Sequence, residues 1–216
     1  MMLDGLRKEV LRVSRLAESS GLCQHGSGNF SMVDRKEVLV AITPHAESRY
    51  SITEEDILVI DLEGNIVENP NRRKPTSEMV VHLEVLNNRA DVNAVCHTHA
   101  RNASVFAAMN KEIKPVLCEA LFYGGYCRVA PFENPGSIEL ARSVVKALEG
   151  SKAALMQHHG LVTVGKDVYD AYRNSIYVEE VAAVCLAAAS VVGYDNLDYL
   201  SEEQVDYLMH VLKIVG

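Results

Sequence analysis

The sequence predicts an α/β protein in which helices cover both faces of a mixed or antiparallel sheet. Strand-like apolar runs cluster in the middle of the 216 residues, and segments with helical periodicity recur on both sides. Short turns join several neighbouring runs, which requires antiparallel pairing because parallel strands need long crossovers. No G-x-G-x-x-G motif follows a strand-like run, so a regular dinucleotide-binding alternation is not expected. Since no linker or repeat divides the chain, residues 1–216 are predicted to form a single domain.

Charge and composition exclude several classes of protein. Lys and Arg number 21 and Asp and Glu number 29, a formal net charge of −8, and the only dense cationic run is Arg72–Lys74. Nucleic-acid binders usually carry a basic balance or stripe, so no nucleic-acid partner is expected. The most apolar segment, Val181–Val192, is expected to be too short to span a membrane, and the N-terminus has no signal-peptide pattern. Five scattered cysteines without a C-x-x-C pair complete the prediction of a cytoplasmic protein with free thiols and no membrane partner.

The first third of the chain alternates between helix and strand signals. Apolar residues at helical spacing predict an amphipathic helix over the first 18 or so residues, which Gly21 ends. A tight polar loop is predicted at Gly26–Asn29. Two strands, Phe30–Val33 and Val38–Thr43, follow on either side of a short turn.

The middle of the chain carries the motifs of chemical interest. Capping-box spacing at Ser51–Glu54 predicts a short helix, and Ile57–Asp61 reads as a strand. Another helix is predicted to open at Pro75–Glu78, because an apolar stripe follows it. Asn93–His99 is predicted to be a strand and residues 100–109 the next helix.

The last part of the chain is predicted to hold three strands and three helices. A glycine-containing loop leads into the strand Tyr126–Ala130. The remaining predicted elements are the helix Ser137–Leu148, the strands Ala153–Gln157 and Leu161–Val164, and the helices Val168–Val192 and Glu202–Val215.

Two histidine clusters lie at the ends of predicted strands. Side chains alternate across a strand, so His97 and His99 project to the same face and suit a shared divalent cation. His158 and His159 are adjacent, so only one of them is expected to point into a site. Three imidazoles with a fourth position open to a carboxylate, water or substrate are a usual arrangement for catalytic zinc.

Glu78 is a further candidate, in the first turn of a predicted helix where the helix dipole favours a carboxylate. A glutamate at this place can also serve simply as a cap. His82 shares a helix face with Glu78 at i, i+4 spacing, which makes the two a rival metal pair. We give this pair less weight, because the two strand clusters already supply enough ligands.

Five segments, taken in order, resemble the class II aldolase/adducin family, and the resemblance covers about residues 1–195. The resemblance implies a three-layer α/β/α fold with a central, mainly antiparallel sheet. The matching segments are Gly28–Ser31, Thr43–Pro44, Pro75–Glu78, His97–Ala100 and Gln157–Gly160.

The resemblance also implies the roles of particular residues. Zinc, or a related divalent ion, would be held by His97, His99 and His159, the last because the family uses the second histidine of its H-H-G motif. Glu78 matches the catalytic acid/base carboxylate. Glu119 is a second acid/base candidate, because related dehydratases and epimerases carry a glutamate in that region.

A phosphate-binding pocket can be carried over in the same way. Small residues and hydroxyls beside a helix N-terminus offer several donors to an anion, so an acidic protein can still bind phosphate there. The family often has a hydroxyl residue and a glycine after Thr-Pro, whereas this chain has His45 and Ala46, so His45 either donates to the phosphate or the pocket takes a different group. The expected phosphate-binding residues are Gly28, Asn29, Thr43, His45, Thr76 and Ser77.

The activity implied is cleavage of a ketose 1-phosphate, such as L-fuculose 1-phosphate, to dihydroxyacetone phosphate and a small aldehyde through a zinc-stabilised enediolate. Alternatives on the same metal site are dehydration of a methylthioribulose-1-phosphate-like substrate, epimerisation and decarboxylation. A non-enzymatic, adducin-like interaction module is a further alternative. The family also implies a C4 homotetramer with active sites at subunit interfaces, to which the helix predicted at Val168–Val192 could contribute contacts.

Overall fold

The computed structural model describes residues 1–215, with side chains to residue 211, and contains one eight-stranded sheet. Its helices are α1 (Asp4–Ser19), α2 (Met79–Asn88), α3 (Arg101–Met109), α4 (Ile138–Ala147), α5 (Val168–Val192) and α6 (Glu202–Val215). Its strands are β1 (Asn29–Asp34), β2 (Leu39–Ile42), β3 (Leu58–Asp61), β4 (Ile66–Glu68), β5 (Ala94–Thr98), β6 (Arg128–Ala130), β7 (Ala153–Met156) and β8 (Gly160–Gly165). Short 3₁₀ helices occupy Glu54–Asp56, Cys118–Tyr123 and Tyr194–Asn196.

The strand order is β4-β3-β2-β1-β5-β8-β7-β6. Every neighbouring pair is antiparallel except β6–β7, which is parallel at one edge of the sheet. The mixed or antiparallel sheet predicted from the short turns is therefore confirmed, and so is the mainly antiparallel sheet that the family resemblance implies. The order also places β1 and β5 side by side at the centre, with Asn29 paired to His97 at one end of the ladder.

Two separate cores show that helices cover both faces of the sheet. Along β5, Ala94 and Cys96 pack in one cluster with residues of α1, α3 and α5, whereas Val95 packs in the other with residues of α2 and α4. This alternation is the two-residue period of a strand buried on both faces. The α/β/α three-layer fold is thus confirmed.

Several local predictions were wrong at the level of detail. The capping box is formed by Thr53 and Asp56, not by Ser51 and Glu54, and it opens a 3₁₀ helix of three residues. The strand β4 and the 3₁₀ helix Cys118–Tyr123 were not predicted, because both are short and carry no clear periodicity.

The longest helix, α5, corrects the expectation that the most apolar segment is too short to span a membrane. Among the described residues α5 is the one helix long and apolar enough, by length and composition, to cross a membrane. The expectation was based on the apolar segment Val181–Val192 alone, whereas the whole predicted helix Val168–Val192 passes this test. One face of α5 nevertheless packs on the sheet: Ser175 and Thr163 hydroxyls lie 2.6 Å apart, and Asn174 donates to the carbonyl of Val164 at 2.9 Å.

Candidate metal centre and phosphate cleft

His97 and His99 lie where β5 ends, and their rings meet on one side of the strand. The Nδ1 of His97 lies 3.0 Å from the carbonyl oxygen of Leu161 on the neighbouring strand β8. A carbonyl oxygen can only accept a hydrogen bond, so Nδ1 carries the hydrogen. Nε2 then has none, and its lone pair is available to bind a metal. The Nε2 atoms of His97 and His99 are 3.0 Å apart. The shared face predicted from strand alternation is therefore present.

His159 reaches the same point from the hairpin that joins β7 and β8. The strand β7 ends at Met156, so His158 and His159 lie in a turn, and His158 has a left-handed backbone with φ of 59°. The backbone N–H of His159 donates to the carbonyl of Met156 at 3.0 Å. His158 is directed away, beside Phe132. Only one of the two histidines joins the cluster, but turn geometry, not strand alternation, makes the choice.

Gly160 explains why the three rings fit together. A Cβ at this position would lie 2.6 Å from the carbonyl oxygen of Thr98, 3.1 Å from His97 Cε1 and 3.2 Å from His99 Cδ2. Such contacts are too close for carbon atoms, so any side chain here would displace the strand or the rings. The glycine of the H-H-G motif therefore provides space for the imidazoles.

Glu78 completes the cluster from the start of α2. It occupies the N-cap position but its side chain caps no backbone N–H, which removes the capping interpretation. Its Oε2 lies 3.1 Å from His97 Nε2 and its Oε1 lies 3.0 Å from His159 Nε2. Burial alone would raise the pKa of Glu78, but the neighbouring imidazoles of His97 and His159 and a hydrogen bond from Asn29 bring it below its ordinary value.

The donor set fits a divalent cation. The ligating atoms of His97, His99 and His159 lie within 4.8 Å of one another. Burial lowers the pKa of His99 to about 4 and lowers that of His159 too, so both rings are neutral near pH 7, as metal coordination requires. The Nε2 of His97, which has no hydrogen when Nδ1 carries the proton, would repel the Glu78 oxygen 3.1 Å away without a cation between them. Three histidines with a carboxylate at a fourth position suit zinc.

A small cleft of about 150 Å³ adjoins the histidines. It is bounded on one side by the loop Gly26–Asn29 and on the other by Thr76 and Ser77, which precede α2. His45 and Ala46 close a third side, and Ala46 has a φ of 45°, in the left-handed region where the family often has glycine. Five of the six expected phosphate-binding residues therefore line one cleft.

Thr43 is the exception among those six. Its hydroxyl accepts a hydrogen bond from the backbone N–H of Phe30 at 3.1 Å, and the residue is fully buried between β1 and β2. It does not line the cleft. The chain reaches the cleft only at His45 and Ala46, so phosphate binding by Thr43 stays a prediction that the cleft lining does not support.

Arg49 lies behind the lining of the cleft, bonded to the loop that contains Gly28, and it gave no recognisable signal in the sequence. Its side chain is buried, with Nη2 donating to the carbonyl of Gly28 at 2.6 Å and Nη1 to that of Glu47 at 2.8 Å. It thereby joins two neighbouring loops, Gly26–Asn29 and the segment that carries Ala46 and Glu47. No pattern of the chain marks this arginine, because its partners are backbone carbonyls from distant segments.

Glu119 and His82 lie outside the metal cluster. Glu119 is half-buried in the 3₁₀ helix Cys118–Tyr123 and does not line the cleft of its own chain. His82 is fully buried beneath the cleft and faces Ser31 and Asn29 rather than the three histidines. The rival metal pair of Glu78 and His82 is therefore not formed.

Comparison with known proteins agrees with this geometry. The family model described as class II aldolase and adducin N-terminal domain matches residues 8–186, most of the chain. The protein belongs to the class II aldolase/adducin family. Members of this family that act as aldolases are metal-dependent, which accords with the cluster of three histidines.

Individual relatives carry aldolase names. A 5-deoxy-D-ribulose 1-phosphate aldolase of Bacillus thuringiensis is 31% identical over 208 residues, covering 96% of this chain and 95% of the relative. An L-fuculose phosphate aldolase of Methanococcus maripaludis is 36% identical over 174 residues, covering 81% of this chain and 92% of the relative. A solved L-fuculose 1-phosphate aldolase superposes with a TM-score of 0.92 and 29% identity over 99% of this chain and 98% of that one. All three of these similar proteins are named as sugar-phosphate aldolases.

Proposed function

We propose that the protein is a divalent-metal-dependent aldolase that cleaves a ketose 1-phosphate to dihydroxyacetone phosphate and a small aldehyde. The observation that carries the proposal is the position of Glu78, which contacts His97 and His159 at one end of a cleft whose other walls are phosphate-type donors. The relatives named for 5-deoxyribulose 1-phosphate and for fuculose phosphate both act on ketose phosphates, which supports the same substrate class here.

Zinc is the proposed ion, held by His97, His99 and His159. When bound there it would act as a Lewis acid on substrate oxygens and stabilise negative charge that develops on them. A Schiff-base lysine is not needed for this chemistry, and among the described residues no lysine lines the cleft.

The phosphate would be anchored by backbone N–H groups and hydroxyls. The Gly26–Asn29 loop and the residues Thr76 and Ser77 present such groups to the cleft, and Thr76 and Ser77 also precede the N-terminus of α2. Gly28 has a φ of 73°, and a Cβ there would lie 2.6 Å from the carbonyl oxygen of His97, so only glycine lets the loop approach β5 this closely. This anchor fixes the distance between the phosphate and Glu78.

Glu78 is the proposed acid/base. Its lowered pKa keeps it charged near neutral pH, so in the condensation direction it can remove a proton from the hydroxymethyl carbon of dihydroxyacetone phosphate. In the cleavage direction Glu78 first takes up a proton from solvent and gives it to the same carbon, while the proton that a second group removes from the hydroxyl is released to solvent. The proton on the hydroxyl next to the broken carbon–carbon bond needs a second group, and Glu119 from a neighbouring copy of the chain is proposed for it. This assignment depends on the proposed homotetramer, in which active sites lie at subunit interfaces.

The proposal is tested by incubating the purified protein with L-fuculose 1-phosphate, 5-deoxyribulose 1-phosphate and methylthioribulose 1-phosphate. Dihydroxyacetone phosphate is measured by coupled reduction, before and after chelation and after return of zinc. Release that disappears on chelation and returns with zinc supports the aldolase. Loss of the ketose phosphate without that product would instead indicate the dehydratase, epimerase or decarboxylase alternative.

The interaction-module alternative is separated by metal analysis. A protein that has kept all three histidines and Glu78 in contact is expected to purify with close to one divalent ion per chain. Absence of bound metal, together with no turnover of any ketose phosphate, would favour a non-enzymatic role.

A further inference from the structure

We propose that His82 and Ser31 are positioning residues that fix the amide of Asn29, and through it the carboxylate of Glu78. The effect on catalysis rests on the proposed aldolase function, whereas the contacts among these four side chains do not depend on it. His82 lies on α2 four residues after Glu78, so both project from one side of that helix. Asn29 and Ser31 alternate along β1 and therefore face the same way.

Three consecutive contacts connect these residues. The Oγ of Ser31 lies 2.6 Å from His82 Nδ1, and His82 Nε2 lies 2.5 Å from the Oδ1 of Asn29. The Nδ2 of Asn29 then donates to the Oε2 of Glu78 at 3.2 Å. Ser31 and His82 are fully buried, so water does not compete for any of their polar atoms.

Satisfying the donors and acceptors allows one assignment of the protons. Ser31 Oγ has His82 as its side-chain partner among the described hydrogen bonds, so its hydroxyl hydrogen must point to Nδ1. Nδ1 is then an acceptor, and a neutral imidazole carries its hydrogen on Nε2. That hydrogen is donated to Asn29 Oδ1, which leaves the NH₂ group of Asn29 facing Glu78.

The opposite amide orientation would place a carbonyl oxygen against the carboxylate of Glu78. Two acceptors in contact in a buried site leave both without a donor, which disfavours that orientation. His82 therefore decides which end of the Asn29 amide reaches Glu78. Burial lowers the pKa of His82 to about 3, which keeps the ring neutral and preserves the bare Nδ1 that Ser31 requires.

This series of hydrogen bonds matters because the carboxylate of Glu78 has to keep contacts in two directions at once. Its oxygens face His97 and His159, and the Asn29 hydrogen bond adds a third fixed contact to Oε2. A carboxylate held from three sides loses less conformational freedom when it moves a proton. His82 therefore serves to orient the acid/base, not to form the rival metal pair with Glu78 that its i, i+4 spacing offered.

The first test needs neither substrate nor activity. The ¹⁵N chemical shifts of the His82 ring are measured near pH 7 in zinc-loaded protein and assigned by their loss in His82→Gln. A protonated Nε2 and a bare Nδ1 are expected. A protonated Nδ1, or a doubly protonated ring, would overturn the proposed series of hydrogen bonds even if the protein is an active aldolase.

The second test separates positioning from folding. His82→Gln keeps an N–H group near the Nε2 position, whereas His82→Leu removes it at similar volume. We expect His82→Leu to lower kcat about tenfold or more, with KM and zinc content within about twofold of wild type. His82→Gln should recover most of that loss, and the exposed His210→Gln is the matched control.

A double-mutant cycle makes the test independent of a general loss of stability. If His82 acts through Asn29, His82→Leu should change kcat little in an Asn29→Ala background. Equal losses in both backgrounds, or equal kcat for His82→Leu and His82→Gln, would overturn the proposal. If His82→Leu fails to fold, Ser31→Ala replaces it in the same cycle, with the same criteria. If the wild-type protein cleaves none of the ketose phosphates, the proposed function is wrong. The tautomer of the His82 ring then still tests the proposed series of hydrogen bonds.

Discussion

The carboxylate Oε1 of Glu78 lies 3.0 Å from Nε2 of His159, although one residue stands at the start of α2 and the other in the turn between β7 and β8. The contact places the proposed acid/base directly against the proposed metal ligands. Proton transfer and charge stabilisation would therefore act on the same few atoms of a substrate.

Replacing Glu78 with Gln should abolish most turnover and leave the metal in place. The amide keeps the shape of the side chain but cannot carry a proton, and general acid/base catalysis typically contributes about 10²–10⁴-fold. Cleavage rate and zinc content are measured together. Glu84→Gln, a partly exposed position on the same helix, is the matched control. Near-normal turnover in Glu78→Gln would show that the proposed role is wrong.

Gly160→Ala should weaken metal binding more than it weakens folding. The added methyl group would meet the carbonyl of Thr98 at 2.6 Å and crowd His97 and His99, so the rings must separate. Zinc affinity is measured by competition with a chelator, and thermal stability is measured on the metal-free protein. Gly5→Ala, which has open space around its Cβ in α1, should leave zinc affinity unchanged. Wild-type affinity in Gly160→Ala would contradict the steric account.

Arg49→Met should raise KM for the ketose phosphate and weaken competitive inhibition by inorganic phosphate. The guanidinium holds the carbonyls of Gly28 and Glu47, and each such bond to a charged group is worth roughly 1.5–3 kcal/mol. Losing it should let the two loops separate, with an effect of about tenfold on KM. Arg12→Met, on the exposed face of α1, serves as the control. An unchanged inhibition constant would show that the loops keep their positions without Arg49.

Glu119→Gln should be inactive alone but complement Glu78→Gln if Glu119 acts from a neighbouring subunit. Glu119 does not line the cleft of its own chain, so a mixed oligomer can contain a site with both native carboxylates. The two variants are co-expressed with different tags, purified together and assayed for cleavage. Activity in the mixture above that of either variant supports the interface assignment. A fully active Glu119→Gln, or a monomer in light scattering, would remove it.

The stability of the metal-free protein should fall as the pH drops below about 6.5. The unfolded chain binds a proton on His82 near its ordinary pKa, whereas the folded protein does so only near pH 3 because the ring is buried. The unfolded state thus binds more protons across this window, and acid favours it. Thermal unfolding is measured from pH 7 to pH 4 for wild type and His82→Gln. A flatter dependence in the variant is expected, and an identical slope would contradict the buried neutral ring.

Much of the fold could be predicted from periodicity. The helices Val168–Val192 and Glu202–Val215 were predicted with the bounds the structure gives them, because long amphipathic or apolar patterns outweigh local ambiguity. The strand β4, with three residues of mixed exposure, carried no such pattern. The parallel pairing of β6 with β7 was also beyond the sequence, since no local signal records which distant strand lies beside an edge strand.

The candidate site divides in a similar way. His97 and His99 were predicted as a pair because strand alternation is a local property, and the segments that resemble the family pointed to Glu78 and His159. Thr43 lies outside the cleft lining, and its hydroxyl accepts from the backbone of Phe30, a contact that depends on how β1 and β2 pair. Arg49 was missed altogether, since it binds carbonyl groups that are alike at every residue.

The sequence by itself therefore determined the layered fold, the acidic character and the residues able to bind a metal, because these follow from pattern and side-chain chemistry. Only the tertiary structure showed that a turn with a left-handed residue at His158 directs His159 inward, that Glu78 contacts the rings instead of capping its helix, and that the His82 ring contacts the amide of Asn29. These outcomes depend on left-handed turns and on contacts between segments far apart in the chain. Periodicity within a single segment carries no information about either.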